Sequence, residues 1–140
     1  IARQRRTDWH DGRLDAKPSY WDMVLLGDAY RSMDPQQIRA REDLLVRAIE
    51  CWPDLAPAHA AYANLLSWKL ANGVCEDPRA TLAALREQVA MAMDLDAQDP
   101  YVLSRCGAAF SRAGAHDEGV ELCRRAFALA PSTVARDALA

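Results

Sequence analysis

The segment that decides the fold is residues 100–131, which read PYVLSRCGAAFSRAGAHDEGVELCRRAFALAP. Its small and large apolar residues recur at helical spacing in two successive runs, which predicts two helices packed against each other. The runs are Leu103, Cys106, Gly107 and Phe110, followed by Gly119, Cys123 and Ala126. Because Gly107 and Gly119 carry no side chain, the two helices can approach closely there, while the cysteines and Phe110 fill the seam. Pro131 is expected to end the second helix.

The same pattern occurs twice more toward the N-terminus. A backward shift of about 44 residues aligns the first helix with His59, Tyr62, Ala63 and Leu66, and the second with Leu85, Val89, Ala92 and Ala97. A further shift of about 36 residues aligns Met23, Leu26, Gly27 and Tyr30, then Arg41, Leu45, Ala48 and Pro53. About ten additional residues lie between the two helices of the middle unit, around Asn72–Asp77, where Asn72-Gly73 predicts a turn. Three helix-pair repeats are therefore expected between residues 20 and 133.

Aspartate-proline pairs mark the starts of three predicted helices. Asp34, Asp77 and Asp99 each precede a proline, and the carboxylate can cap a helix whose first turn accepts proline. The intervening segments are rich in alanine, leucine, arginine and glutamate and show no strict alternation, so an all-α fold is predicted. Helices are expected near residues 19–32, 35–51, 56–72, 78–95, 100–113, 117–129 and 133–139.

The repeated spacing of large, small and aromatic residues before a terminating proline is similar to that of the tetratricopeptide repeat (TPR) family. The resemblance implies an α-α superhelix of about three stacked helix hairpins within one TPR domain. The hairpins would cover about 20–55, 56–99 and 100–133 of the domain 19–140, with a partial helix at 134–140. The positions that the pattern assigns to packing are Gly27, Tyr30, Ala48, Pro53, Tyr62, Ala63, Ala92, Gly107, Phe110, Ala126 and Pro131. Two positions depart from the pattern: Arg41 replaces a small residue, and Ala97 replaces the proline.

Two stretches carry a closer resemblance, YWDMVLLGDAY at residues 20–30 and AIECWPDLAPAHAAYANLL at residues 48–66. They resemble the C-terminal TPR region of bacterial class III adenylate or guanylate cyclases and of winged-helix transcriptional regulators. The resemblance implies that residues 1–18 are a linker or tail from a preceding domain. The start at Ile1, without a methionine or a signal-peptide pattern, likewise favours a piece of a longer, cytoplasmic protein.

The function that these resemblances imply is a non-catalytic protein–protein interaction module, the C-terminal regulatory or assembly region of a larger bacterial signalling protein. One alternative is the regulatory or dimerising tail of a class III nucleotide cyclase, in which the exposed ends of the stack would pair as a homodimer. Another is the sensory part of a winged-helix transcriptional regulator. The sequence does not distinguish these two alternatives.

Composition excludes several other classes of protein. Of the 140 residues, 51% are hydrophobic and 26% charged, a balance that is typical of folded soluble chains and not of disordered ones. The longest nearly apolar stretch, Ala60–Leu66, is too short to span a membrane. The net charge of −3 disfavours binding to a nucleic-acid backbone. The four cysteines are irregularly spaced, which predicts reduced thiols and not a disulfide framework.

Candidate peptide-binding residues follow from the TPR resemblance, because the first helix of each pair lines a concave groove in such arrays. These candidates are Trp21, Asp28, Arg31, Asn64, Trp68, Tyr101, Ser104 and Arg112, with Val24, Ala60, Ser67 and Ala108 completing the register. Aromatic side chains would anchor a partner helix or extended peptide, and asparagine and arginine would read its backbone and carboxylates. The alternative is that the same side chains cover a solvated surface or pack between repeats.

The sequence contains no motif for catalysis or for a cofactor. Paired carboxylates, a glycine-rich phosphate cradle and a nucleophile elbow are all missing, so no enzyme activity is expected of these residues. His10, His59 and His116 are isolated and no Cys-x-x-Cys occurs, so no metal site is predicted. Adaptors that bind chaperone C-terminal tails need lysines in the groove, and neither Lys17 nor Lys69 falls at such a position. The partner is therefore expected to be a different protein or peptide, whose identity the sequence leaves open.

Overall fold

The computed structural model describes Ser19 and residues 34–129. Between residues 34 and 129 it contains five helices and no strand, so the predicted all-α fold is confirmed. The helices are α1 (Pro35–Cys51), α2 (Ala56–Ala71), α3 (Pro78–Leu95), α4 (Pro100–Arg112) and α5 (His116–Leu129). The bounds of α1 and α3 are those predicted, and α2, α4 and α5 differ from prediction by one residue at one end. The helices predicted at 19–32 and 133–139 lie outside the described residues.

Each aspartate-proline pair starts a helix, as predicted, because the aspartate side chain accepts hydrogen bonds from amides of the first turn. Asp34 accepts one from the amide of Gln36 at 2.9 Å, and Asp99 accepts one from the amide of Tyr101 at 2.8 Å. Asp77 accepts from two amides of the first turn of α3, at 3.1 and 3.2 Å. Local sequence therefore fixes where α1, α3 and α4 begin.

The additional residues of the middle helix pair are not confined to the loop around Asn72–Asp77. Helices α2 and α3 have 16 and 18 residues, whereas α4 and α5 have 13 and 14. Much of the additional length thus belongs to the helices, and the connection between α2 and α3 is short. Gly73 allows the chain to turn there because it adopts a positive φ of 65°. The amide of Val74 then donates to the carbonyl of Lys69 at 3.0 Å. The extra length therefore lies mainly in the two helices.

Helix α2 lies at the centre of the described fold. It packs against α1 on one side and against α3 and α4 on the other, and α4 packs in turn against α5. The α1–α2 contact buries Leu44, Leu45, Ala48, Ala58, Ala61 and Leu65. A second, larger cluster joins α2, α3, α4 and α5 around Leu85, Val102, Leu103 and Cys106. Tyr62 packs against both clusters and so connects them. None of the described helices combines the length and the apolar composition that a membrane span requires.

Most of the described positions that the repeat pattern assigned to packing are buried. These are Ala48, Ala63, Ala92, Gly107, Phe110 and Ala126. Tyr62 is partly buried and Pro53 is exposed, while Gly27, Tyr30 and Pro131 lie outside the described residues. Helices α4 and α5 come closest where Gly107 faces Gly119. An ideal Cβ atom on either glycine would lie within 2.8 Å of the other's carbonyl oxygen.

Candidate functional site

The predicted groove residues divide into three groups. Trp21, Asp28 and Arg31 lie outside the described residues. Asn64 and Trp68 lie on α2, and Tyr101, Ser104 and Arg112 lie on α4. The structure brings Asn64, Trp68 and Arg112 into direct contact, together with Ser67 of the predicted register.

The Arg112 guanidinium is the centre of this contact. Its Nη1 donates to Asn64 Oδ1 at 2.9 Å and to Ser67 Oγ at 2.7 Å. Its central carbon lies 4.6 Å from the centroid of the Trp68 ring, within the range of a cation–π interaction. Ser67 Oγ in turn donates to the backbone carbonyl of Asn64 at 2.6 Å. We call these four side chains the Arg112 cluster.

The local sequence of α2 explains how the cluster forms. Asn64, Ser67 and Trp68 are spaced i, i+3 and i+4, so they share one face of the helix. Asn64 and Ser67 are 6% and 0% exposed, whereas Trp68 and Arg112 are partly exposed. Arg112 occupies the last turn of α4, where the negative end of the helix dipole favours a cation. Two buried oxygens thus hold a partly exposed guanidinium against an aromatic ring.

The surroundings of Arg112 disfavour its positive charge. Burial lowers the pKa of its guanidinium, and the positive charge of Arg105 lowers that pKa further. Its hydrogen bonds go to neutral oxygens, and between residues 34 and 129 it forms no ion pair. Both bonds use Nη1, so within that part of the chain Nε and Nη2 keep their donors available. These are the donors that bind a carboxylate or two peptide carbonyls side by side.

Tyr101 and Ser104 have a different environment from Arg112. They are 8% and 2% exposed, and Ser104 Oγ donates to the carbonyl of Tyr101 at 2.9 Å. The Arg105 guanidinium lies 5.3 Å from the centroid of the Tyr101 ring. Ser104 is two helical turns before Arg112, about 12 Å along the axis. Both residues therefore belong to the packed start of α4. Among the described residues of the predicted groove, Trp68, Ala108 and Arg112 are partly exposed.

A second buried polar contact involves His59, which the sequence analysis placed in the first helix of the middle repeat and rejected as a metal ligand. The ring is fully buried in α2. Its Nε2 lies 2.8 Å from the carbonyl oxygen of Pro53, and its Nδ1 lies 2.6 Å from Oε1 of Gln88 on α3. A polar residue in the middle of the alanine-rich run 56–63 was the signal for such a contact. His59 therefore joins the loop before α2 to α3.

Two open clefts flank the start of α3. The larger, of about 480 Å³, lies between α1, the end of α2 and the connection before α3, and the Lys69–Glu42 ion pair of 2.7 Å lies in its wall. The smaller, of about 290 Å³, lies where α2 ends, α3 begins and α4 ends, and Arg112 forms part of its lining. Among the residues that the structure describes, no group of three or more histidine, cysteine or acidic side chains is placed to hold a metal ion.

The thiols differ sharply in their environment. Burial raises the pKa of Cys106 to about 12, and burial also raises the pKa of Cys123. Cys51 is exposed and Cys75 is partly exposed. Since the thiolate is the nucleophile, a buried thiol with so high a pKa is inert at neutral pH.

We expect a disulfide-exchange reagent at pH 8 to modify Cys51 and Cys75 in the folded protein, and Cys106 and Cys123 only after unfolding.

The raised pKa of Cys106 also makes stability depend on pH. Because the folded state holds the Cys106 proton more tightly than the unfolded state does, the protonated thiol contributes fully to stability below the unfolded pKa of about 8.5. That contribution falls by at most about 1.4 kcal/mol per pH unit as the pH rises toward the folded pKa. Urea unfolding at pH 8 and pH 10 measures this fall, which should be smaller in Cys106→Ala. Rapid modification of all four thiols in the folded chain would contradict the buried placement.

Comparison with known proteins assigns no family. No protein-family model matches the chain, and no curated protein matches it either.

Proposed function

We propose that the chain is a non-catalytic protein–protein interaction module of the TPR type, which binds a helical or extended segment of a partner protein. The Arg112 cluster is the observation that carries this proposal. A guanidinium held by two buried oxygens and an aromatic ring is fixed in position before any partner arrives. Such preorganisation reduces the entropy lost on binding.

The chemistry of the cluster supports a peptide as the ligand. The Nε and Nη2 donors of Arg112 suit a carboxylate side chain or backbone carbonyls, and the partly exposed face of Trp68 offers apolar contact area. Tryptophan and arginine are the residue types that most often dominate binding energy at protein interfaces. An arginine beside an aromatic ring therefore suits recognition of a polar segment next to an apolar one.

The arrangement of helices supports the same proposal. The connections between α2 and α3 and between α4 and α5 are short, and α2 also packs against α4, as stacked helix pairs require. In this proposal α2 and α4 are the inner helices of successive pairs, and the pairs form a superhelix with a concave face. The setting that we propose is the C-terminal regulatory region of a larger bacterial signalling protein, on the resemblance of residues 20–30 and 48–66.

The test is a selection of random displayed peptides on the full chain, followed by affinity measurements with the selected peptides. We expect Arg112→Gln to weaken peptide binding about tenfold or more, because a charge-assisted hydrogen bond contributes about 1.5 to 3 kcal/mol. Trp68→Ala should weaken binding to a similar degree. Thermal melts followed by circular dichroism establish that both variants remain folded.

Arg124→Gln is the matched control, since Arg124 is exposed on α5 and the substitution removes the same charge. It should bind the selected peptides as the unaltered chain does. The assignment is wrong if Arg112→Gln and Trp68→Ala also bind them with unchanged affinity, or if no peptide is selected.

A further inference from the structure

The smaller cleft has an apolar lining with two cations. Its lining includes Leu70, Pro78, Leu82 and Ala113, together with Arg79 and Arg112. No acidic residue is part of that lining. We call it the basic cleft. Asp77, just before it in sequence, is engaged in capping α3 through two amides.

The opposite end of α3 has the complementary character. Met91, Asp94 and Leu95 are spaced i, i+3 and i+4, so they share one face of the helix. All three are exposed, Met91 to 37% and Leu95 to 43%. We call this face the acidic patch. The nearby cation Arg125 donates to the backbone carbonyl of Ala97, at 3.4 Å.

The charges at the two ends of α3 differ in how the helix dipole is met. The first turn carries Arg79, and the capping carboxylate of Asp77 supplies the anion that the dipole favours at a helix start. The last turn carries Asp94 and no basic residue, although the dipole favours a cation at a helix end. Asp94 is therefore unfavourable within its own helix and would gain from a cation supplied from outside the chain.

We propose that the basic cleft of one copy of this chain receives the acidic patch of a second copy. Asp94 of the second copy faces Arg79 and Arg112, and its Met91 and Leu95 pack on the apolar lining. A copy cannot fill its own cleft, because Arg79 and Asp94 are 15 residues apart on α3, which separates them by about 22 Å along the helix axis.

The contact is therefore heterologous, with different surfaces meeting from the two copies. It leaves one cleft and one patch unused, so association continues into a chain or closes into a ring. Because each copy has a net charge of −3, the local pairing of opposite charges must select the register of the contact. This self-association goes beyond the proposed peptide binding but shares Arg112 with it, so its test alters Arg79 and Asp94 and leaves Arg112 and Trp68 in place.

The test is sedimentation velocity of the full chain over a wide concentration range. The average mass should rise above the monomer mass of 15.5 kDa with increasing concentration. Arg79→Glu, which alters the cleft, and Asp94→Arg, which alters the patch, should each associate at least about tenfold more weakly. Both substitutions suit the helix dipole, so both variants should fold. Arg124→Glu, which makes the same charge change as Arg79→Glu at an exposed position of α5, should associate like the unaltered chain.

A mixture of the two variants distinguishes this contact from a symmetric dimer. Arg79→Glu retains an intact patch and Asp94→Arg retains an intact cleft, so an equimolar mixture should associate although neither variant does alone. An unaltered chain that stays monomeric, an Arg79→Glu variant that associates normally, or a mixture that stays monomeric would each overturn the proposal. None of these results would by itself contradict the proposed peptide binding, because both variants keep Trp68 and Arg112, although a second copy seated on Arg112 would compete with the peptide.

Discussion

Replacement of Gly107 by alanine is expected to lower the free energy of unfolding by about 1 to 3 kcal/mol, and replacement by valine to lower it further. Helix propensity alone favours alanine by about 1 kcal/mol, so a loss shows that close packing dominates at this position. An ideal Cβ on Gly107 would lie 2.7 Å from Cys123 Sγ and 2.8 Å from the carbonyl oxygen of Gly119. The carbonyl belongs to the backbone of α5, so the whole helix must move. Urea unfolding followed by far-ultraviolet circular dichroism measures the effect.

A substitution of Gly119, on the other helix of this contact, is expected to lower the free energy of unfolding for the same reason. An ideal Cβ on Gly119 would lie 2.7 Å from the carbonyl oxygen of Gly107 and 2.9 Å from the amide nitrogen of Ser111, and closer still to Ser111 Oγ. Gly119→Ala should therefore destabilise the chain by a similar amount. Because one displacement of α5 relieves both clashes, the double variant should lose less than the sum of the two single losses.

Two control substitutions test whether the loss of stability comes from the Gly107–Gly119 contact and not from any substitution in α4 or α5. Cys123→Ala removes the Sγ contact but not the carbonyl contact, so it should restore only part of the stability lost in Gly107→Ala. Glu121→Ala, at an exposed position of α5, should change the free energy of unfolding by less than about 0.5 kcal/mol. A Gly107→Ala variant as stable as the unaltered chain would show that the two helices lie farther apart than described here.

The helices and their starts were predictable because their causes are local. Asp77 and Pro78 are adjacent, and the cap they form needs only the first turn of α3. The apolar spacing of Leu103, Cys106 and Phe110 identifies the buried face of α4 without any knowledge of its neighbours. The additional length of the middle pair was predicted too, but its placement between the two helices was wrong, because most of it lengthens α2 and α3.

The polar contacts were predictable only in part because they join distant parts of the chain. Helical register predicts that Asn64 and Trp68 share one face of α2. The TPR resemblance predicts that Arg112 lines the same groove as these two residues. Asn64, which accepts one of the hydrogen bonds from Arg112, is 48 residues away from it in sequence. Whether Asn64 would face a ligand or hold another side chain depends on the distance between α2 and α4. That distance is set by packing across both helices and not by any single motif.

The contacts of His59 were likewise not predictable from local sequence. Among the substitutions proposed here, replacement of His59 by alanine is expected to lower the free energy of unfolding most. His59→Ala should lower the free energy of unfolding by about 3 to 5 kcal/mol, because it leaves a cavity in α2 and removes both polar contacts of the ring. Since the carbonyl of Pro53 can only accept, Nε2 donates to it and Nδ1 faces the amide group of Gln88. Chemical denaturation of the full chain measures the loss.

His59→Phe separates the two causes, because phenylalanine fills the volume but makes neither hydrogen bond. It should be destabilised by about 2 to 4 kcal/mol, the combined effect of leaving Pro53 and Gln88 without their buried partner. Gln88→Ala should be milder, since it leaves the contact between Nε2 and Pro53 intact. A double-mutant cycle between His59→Phe and Gln88→Ala then isolates the pair, with a coupling of about 0.5 to 3 kcal/mol. A coupling near zero would mean that His59 stabilises the fold through volume and the Pro53 contact alone, and that α3 is held to α2 by apolar packing without this bond.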